Sequence, residues 1–177
     1  TDLGGNAEFS ECCALVPSDK HDILGVMTGH WLPGILTANM TIQPGAFADH
    51  LTSYAGILGD ITYAYTQEPM TNWIARGASG TAGAVTEPGC SSVKFPNIFI
   101  HASYYEGLSL GEAFFRSVTS LRHTMFFGDP LTRPFGYLPV VSLNLPNNTL
   151  SGIVNLVPSA TTDNPNALIS HHNIYVD

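Results

Sequence analysis

The segment His21–Trp31, "HDILGVMTGHW", sets the predicted fold of this chain. An apolar run that follows a polar turn and is closed by Gly29 is typical of a buried strand in a parallel sheet. Such a strand delivers the residues that follow it, His30 and Trp31, to the carboxyl edge of the sheet. Ligands of open α/β sheets bind at that edge. The segment therefore predicts both a core strand and the place of a binding site.

Three helices are predicted downstream of this strand. Apolar residues at helical spacing in "AFADHLTSYAGIL" predict a helix from Ala46 to Leu58. The segment "MTNWIARG" predicts a short helix from Thr71 to Arg76, capped by Gly77. A capping box of Ser109 and Glu112 predicts the start of the third helix, "SLGEAFFRSVTS". The first and third helices are expected to pack on the sheet.

Three segments are predicted to be neighbouring strands of one mostly parallel sheet: Ile23 to Gly29, Gly83 to Thr86 and Thr124 to Gly128. A further strand and loop are predicted in Phe95 to Gly107, "FPNIFIHASYYEG". Strands that alternate with helices at this spacing indicate an α/β domain, a mostly parallel sheet flanked by helices. We assign this domain to residues 1–135.

From residue 136 onward the sequence has short β-type runs, clusters of turn residues and no helical period. The runs "VVSLNL", "GIVNLV" and "HNIYV" predict three strands of a β-sandwich-like segment, residues 136–177. Three strands do not close a sandwich, so we expect further sequence or a neighbouring copy to complete it. The segment thus predicts a homo-oligomer that assembles through its C-terminal strands.

Composition narrows the classes of partner and the compartment. The six lysines and arginines are scattered among 14 acidic residues, so no basic patch is present to bind nucleic acid. The apolar runs are much shorter than the roughly 20 residues of a membrane span, so none is predicted. Low charge with abundant Gly, Pro, Ser, Thr and Asn favours a secreted or cell-surface protein. A chain that starts at Thr1 indicates a processed product or a fragment.

The three cysteines leave two alternatives open. The adjacent Cys12 and Cys13 would form a strained ring with each other, so one of them pairs with Cys90 or all three are free buried thiols. Cys90 follows a predicted strand in the loop "EPGCSSVKF". Because reactive cysteines need an accessible, electropositive setting, we expect a structural role for this residue.

The stretch that contains Asp49, His50 and Ser53 has the residue types of a catalytic triad. Adjacent residues on a helix point about 100° apart, so Asp49 is not expected to orient His50. We expect a hydrogen-bonded structural histidine where the helix meets the sheet. The alternative is a polar cluster at the sheet edge that includes His30 and Glu87.

No metal or cofactor is predicted. The seven histidines lack the spacing of metal ligands, and the glycine set "GASGTAG" lacks the lysine of a P-loop. Close packing of the backbone against "MTNWIARG" explains those glycines more simply. The sequons at Asn39 and Asn147 are acceptor sites in a glycosylating cell.

Four segments together carry a resemblance to known proteins: "PGAFADHLTS", "MTNWIARGASGTAGAVTEP", "GLSLGEAFFRSV" and "FFGDPLTRPF". In order and spacing they resemble an uncharacterised family of secreted bacterial proteins. They are more distantly similar to the C-terminal half of gingipain-type cysteine peptidases, whose fold is shared with caspases. The tail "SGIVNLVPSATTDNPNALISHHNIYVD" resembles the opening strands of a bacterial immunoglobulin-like module.

The peptidase resemblance implies a histidine and Gly after one strand, and a nucleophilic cysteine after the next. If "GVMTGHW" corresponds to the histidine strand, His30 is the candidate acid/base, but Trp31 replaces the Gly and no cysteine ends a later strand. If it corresponds to the cysteine strand, it has no thiol. The dyad is incomplete in both alignments, which leaves His30, His50 and Cys90 as catalytic candidates.

The resemblance therefore implies an extracellular binding or assembly protein with a caspase/gingipain-like, non-catalytic α/β core. The alternative is a cysteine peptidase or other hydrolase whose missing catalytic residues come from upstream sequence or from another chain.

Overall fold

The computed structural model describes residues 6–9, 16–59, 67–87, 89, 91–145, 152–164 and 168–175. The chain divides into two compact units, Thr1–Phe135 and Gly136–Asp177. The first unit contains a four-stranded sheet with helices, and the second contains a two-stranded sheet. The predicted mixed α/β class is confirmed.

The sheet of the first unit is mostly parallel, as predicted. Its strands are β1 (Lys20–Thr28), β2 (Met40–His50), β3 (Gly80–Ala84) and β4 (Thr124–Gly128). They lie in the order β1-β2-β3-β4. Strands β1, β2 and β3 run parallel, whereas β4 runs antiparallel to β3.

All three predicted strands belong to this sheet, with three corrections. β2 lies between β1 and β3, so the first two predicted strands are not neighbours. β1 is mostly exposed rather than buried, because it forms the edge of the sheet. β3 also starts at Gly80, three residues before the predicted Gly83.

The predicted helix from Ala46 to Leu58 is wrong, because its first half is the end of the central strand β2. A strand buried on both faces has apolar residues at successive positions, which hides the period of two. Ala46 and Ala48 face one core cluster, and Phe47 faces the other. The residues after His50 form bends and a turn rather than a helix.

Two of the predicted helices are confirmed. Helix α1 (Thr71–Ala75) ends next to Gly77, whose φ of +104° suits glycine. A 3₁₀ turn follows at Ser92–Lys94. The last helix, Leu110–Ser117, starts with the predicted capping box, in which the Glu112 N–H donates to Ser109 Oγ at 3.3 Å.

The strand predicted within Phe95 to Gly107 is wrong, because the structure has helix α2 (Phe99–Tyr105) there. The segment is rich in Ile, Phe and Tyr, which favour strands. However, Ile100 and Tyr104 are one helical turn apart and both are buried in the core. Burial of that face overrides the local strand preference. The helix Leu110–Ser117 is called α3 from here on.

The core has two layers, one on each face of the sheet. On the first face Trp73 of α1 packs with apolar residues of β1 and β2, namely Val26, Met40, Ile42, Ala46 and Ala48. On the second face, residues of α2 and α3 pack on β2 and β3; these are Phe47, Ala82, Ile100, Tyr104, Leu110, Ala113 and Phe114. The second half of β2 therefore carries side chains into both layers.

Glycines allow two close contacts in this core. A Cβ at Gly83 would lie 2.5 Å from the backbone nitrogen of Gly56, so the turn after β2 packs directly on β3. A Cβ at Gly25 would lie 2.5 Å from the ring of His101, which rests on β1. Close backbone packing thus accounts for Gly83, but its partner is this turn and not α1.

The second unit contains the antiparallel strands β5 (Val140–Asn144) and β6 (Val157–Thr161). β5 lies where a strand was predicted. β6 begins at Val157, the last residue of the predicted strand "GIVNLV". The third strand was predicted in "HNIYV", but residues 168–175 contain no strand. The described part of the predicted sandwich is therefore a two-stranded sheet.

Within the described ranges, no helix is both long enough and apolar enough to cross a membrane.

Candidate functional site at the carboxyl edge of the sheet

The carboxyl ends of β1 and β2 lie side by side. Thr28 is paired with His50 in the parallel register, and the Leu51 N–H donates to the Thr28 carbonyl at 2.8 Å. Both strands end at the same edge of the sheet. His30 comes shortly after β1 at this edge, and Thr52 and Ser53 come shortly after β2. This edge is where ligands of parallel sheets bind.

His50 is almost wholly buried and uses both ring nitrogens in hydrogen bonds. Trp73 Nε1 donates to His50 Nδ1 at 3.0 Å, and His50 Nε2 lies 2.7 Å from the backbone oxygen of Glu68. An imidazole that accepts at Nδ1 is neutral and carries its proton on Nε2. Burial also lowers the pKa of His50 below its ordinary value. These contacts give His50 a structural role.

Glu68 connects three parts of this edge, although nothing in the sequence singled it out. Its carboxylate accepts hydrogen bonds from the backbone N–H groups of Gly34 and Ile35, at 2.8 and 2.9 Å. It also accepts from Asn72 Nδ2 at 2.9 Å, and its own N–H donates to the Trp31 carbonyl at 3.0 Å. Glu68 therefore fixes the loop after β1 to the start of α1.

Gln67 holds the loop after β2 in a similar way. Its Oε1 accepts from the Thr52 hydroxyl at 2.6 Å and from the Tyr54 N–H at 2.8 Å. Gln67 is distant in sequence from both groups, so no local pattern could indicate these contacts. Together, Gln67 and Glu68 anchor both loops at the edge.

Asp49 is a buried residue at this edge whose carboxyl group makes no hydrogen bond to a described residue. Its side chain is 1% exposed, and neither carboxyl oxygen has a hydrogen-bond partner among the described residues. Burial raises the pKa of Asp49 to about 7, and the nearby N–H of His50 offsets part of this shift. Because neighbouring residues of a strand face opposite sides, Asp49 does not orient the ring of His50.

His30 differs from His50 in its surroundings. It is only partly buried, its Nδ1 accepts from the Leu32 N–H at 3.1 Å, and it lies beside the half-exposed ring of Trp31. Its Nε2 makes no hydrogen bond to a described residue. His30 is thus the predicted catalytic histidine that can contact a molecule outside the core.

Glu87 lies with Ser53 in a separate exposed contact. The Ser53 hydroxyl donates to the Glu87 carboxylate, and the Gly89 N–H donates to the same carboxylate at 2.9 Å. Both hydrogen bonds lower the pKa of Glu87. The predicted alternative, a single polar cluster of His30, His50 and Glu87, is therefore not formed. The polar contacts form two separate sets, one around Glu68 and one around Glu87.

Several predicted features lie outside the described residues. They are the candidate nucleophile Cys90, the possible disulfide partners Cys12 and Cys13, and the sequon at Asn147. The other sequon, Asn39, is exposed, and its Nδ2 donates to Asp19 Oδ1 at 2.6 Å. In the described part of the chain, no three His, Cys, Asp or Glu side chains are grouped as metal ligands.

No protein-family model, curated protein or solved structure matches this chain. The fold and the edge contacts define a mixed α/β domain whose loops are held by the half-buried Gln67 and Glu68.

Proposed function

We propose that this chain is a binding and assembly protein, secreted or at the cell surface, built on a non-catalytic gingipain-like α/β core. The observation that carries the proposal is the use of both nitrogens of His50 inside the protein. A general acid/base needs a ring nitrogen that reaches the substrate. Gln67 and Glu68 likewise hold loops in place, so the edge is built as a scaffold.

The second unit supports a role in assembly. Register and alternation put Val141, Leu143, Pro158 and Ala160 on one face of the β5–β6 sheet. With residues 168–175 they line a groove of about 470 Å³, and Leu143 is 38% exposed. Contiguous exposed apolar surface marks interaction sites, and a two-stranded sheet alone is marginally stable. We infer that a second copy of the chain covers this face.

Charge supports self-association through this unit. Residues 136–177 contain no lysine or arginine, and their acidic residues are Asp163 and Asp177. The rest of the net charge of −8 lies in residues 1–135. Because the second unit has so few charged residues, contact between copies through it removes few charges from water. The proposal involves neither nucleic acid nor a membrane span.

Sedimentation velocity of the full chain over a range of concentrations tests this function. Leu143→Lys places a charge on the apolar face and is expected to weaken association by about tenfold or more, equivalent to roughly 1.4 kcal/mol. Thr161→Lys adds the same charge to the opposite face of the sheet, on β6, and is expected to leave association nearly unchanged. Equal effects of the two variants, or a monomer at every concentration, would contradict the proposal.

A hydrolase is the second candidate, and one observation favours it. His30 and the hydroxyls of Thr52 and Ser53 follow adjacent parallel strands, the relation that the peptidase resemblance implies for base and nucleophile. The remaining catalytic groups are then supplied by upstream sequence or another chain. Covalent labelling by a peptide electrophile, lost in His30→Ala but kept in His21→Ala, supports this candidate; no labelling of the wild-type chain rejects it.

A further inference from the structure

The outer edge of β1 has backbone groups without hydrogen-bond partners among the described residues. The Thr28 carbonyl points toward β2, since it accepts from Leu51. Peptide groups alternate in direction along a strand, so those of Gly25 and Met27 point away from β2. Neither residue makes a backbone hydrogen bond outside the β1–β2 pair to any described residue. A row of such groups is paired most effectively by another extended strand.

The second half of β1 lacks the features that protect natural sheet edges. Edge strands are commonly protected by charges, prolines or bulges. In β1 the charged Lys20 and Asp22 and both register irregularities come before Gly25. The rest of the strand has no charge and no proline. Leu24, directly before this half, is 40% exposed, and Trp31, beyond the end of the strand, is 53% exposed. This half of β1 is suited to a neutral partner strand.

β5 has the properties that such a partner strand needs. All five of its residues are exposed, and none is charged or a proline. Its other edge is free in the described two-stranded sheet. β6 is less suited, because Pro158 lacks an N–H. The segment 136–177, whose only charged residues are Asp163 and Asp177, also brings few charges toward an acidic first unit.

We propose that β5 of one copy adds to the outer edge of β1 in a second copy. This inference rests on the proposed function, self-association through the second unit, and names the surface that receives it. The contact joins two different surfaces, so each pair of copies keeps one free β1 edge and one free β5 edge. Such a heterologous contact produces open chains unless the rotation between copies closes a ring.

Photo-crosslinking of the full chain tests this pairing directly. The residue p-benzoylphenylalanine replaces Leu24 in one protein and Leu131 in a control. The native Leu131 side chain is 81% exposed and follows β4, the strand at the opposite edge of the sheet from β1. From position 24 we expect crosslinks between copies to Val140–Asn144, with a yield that rises with protein concentration. From position 131 we expect none to that strand. Crosslinks from position 24 that map elsewhere, or a yield independent of concentration, overturn the pairing.

Charge substitutions separate this inference from the proposed function. Leu24→Lys is expected to weaken association at least tenfold, whereas Leu131→Lys leaves it unchanged. If Leu143→Lys prevents association and a folded Leu24→Lys does not, the second unit mediates assembly but β1 is not its partner. If neither variant affects association, both ideas are wrong. The crosslinking result decides the question if Leu24→Lys does not fold.

Discussion

Asp49 and His50 are neighbours at the end of β2, yet their side chains enter opposite layers of the core. His50 faces Trp73 and donates to the Glu68 carbonyl, whereas Asp49 lies on the side of Phe47 without a hydrogen-bond partner in the described structure. One member of the pair is a satisfied structural histidine. The other is a buried carboxyl group whose ionisation is costly.

Asp49→Asn is expected to change how stability depends on pH. The pKa of Asp49 is about 7 in the folded protein against an ordinary value of 3.8, so the unfolded state loses this proton first. Stability therefore falls as pH rises from about 4 to 7, by up to roughly 4 kcal/mol. Asn stays neutral, so the variant should gain stability over wild type at pH 8 and little at pH 4.

Urea unfolding at pH 4 and pH 8 measures this difference. Asp163→Asn is the matched control, because it makes the same substitution at an exposed position. An Asp49→Asn variant with the same pH dependence as wild type would show that the carboxyl group is ionised and accommodated in the folded protein.

Trp73→Phe is expected to destabilise the protein because it leaves His50 Nδ1 buried without its donor. An unsatisfied buried acceptor costs about 1–3 kcal/mol, and the smaller ring adds a packing loss. Trp31→Phe is the control, since Trp31 is half exposed, and should cost less than about 0.5 kcal/mol. Equal free energies of unfolding for the two variants would argue against the His50–Trp73 hydrogen bond.

Gly83→Ala is expected to be strongly destabilising. The new Cβ would lie 2.5 Å from the Gly56 nitrogen, and both partners of this contact are backbone, so no flexible side chain can move away. We expect a loss of about 2 kcal/mol or more. Gly29→Ala has open space around its Cβ and should be nearly neutral. Thermal unfolding compares them; a neutral Gly83→Ala would mean that the turn is not packed on β3.

Glu68→Gln is expected to loosen the loop after β1. The charged carboxylate accepts from the N–H groups of Gly34 and Ile35, and hydrogen bonds to charged groups contribute about 1.5–3 kcal/mol. Hydrogen exchange at Gly34 and Ile35 should therefore accelerate in the variant. Glu106→Gln, an exposed residue at the end of α2, serves as control. Unchanged protection at both amides would show that the backbone alone holds the loop.

Local signals in the sequence were sufficient for several elements. The capping box of Ser109 and Glu112 and the cap at Gly77 identified two helices, because these contacts join residues only a few positions apart. The apolar runs before His30 and Gly128 identified β1 and β4 for a similar reason. Caps of this kind depend on a few neighbouring residues, so the local sequence is enough to predict them.

Only the tertiary structure decided the identity of β2 and α2. In isolation "AFADHL" has helical spacing and "NIFIHASYY" has strand-forming residues, and each adopts the opposite structure. β2 is a strand because it has a parallel neighbour on each side, and α2 is a helix because Ile100 and Tyr104 fill the core beneath it. Long-range burial outweighs propensities of about 1 kcal/mol or less per residue.

The candidate site shows the same division. The sequence placed His30 at a strand end, since that depends on the position of one strand. It could not show that Glu68 binds the loop at Gly34, or that Trp73 donates to His50, because 34 and 23 positions separate these partners. Residue types and spacing determine local elements and the sheet edge they form, whereas contacts between distant segments determine which polar groups remain available there.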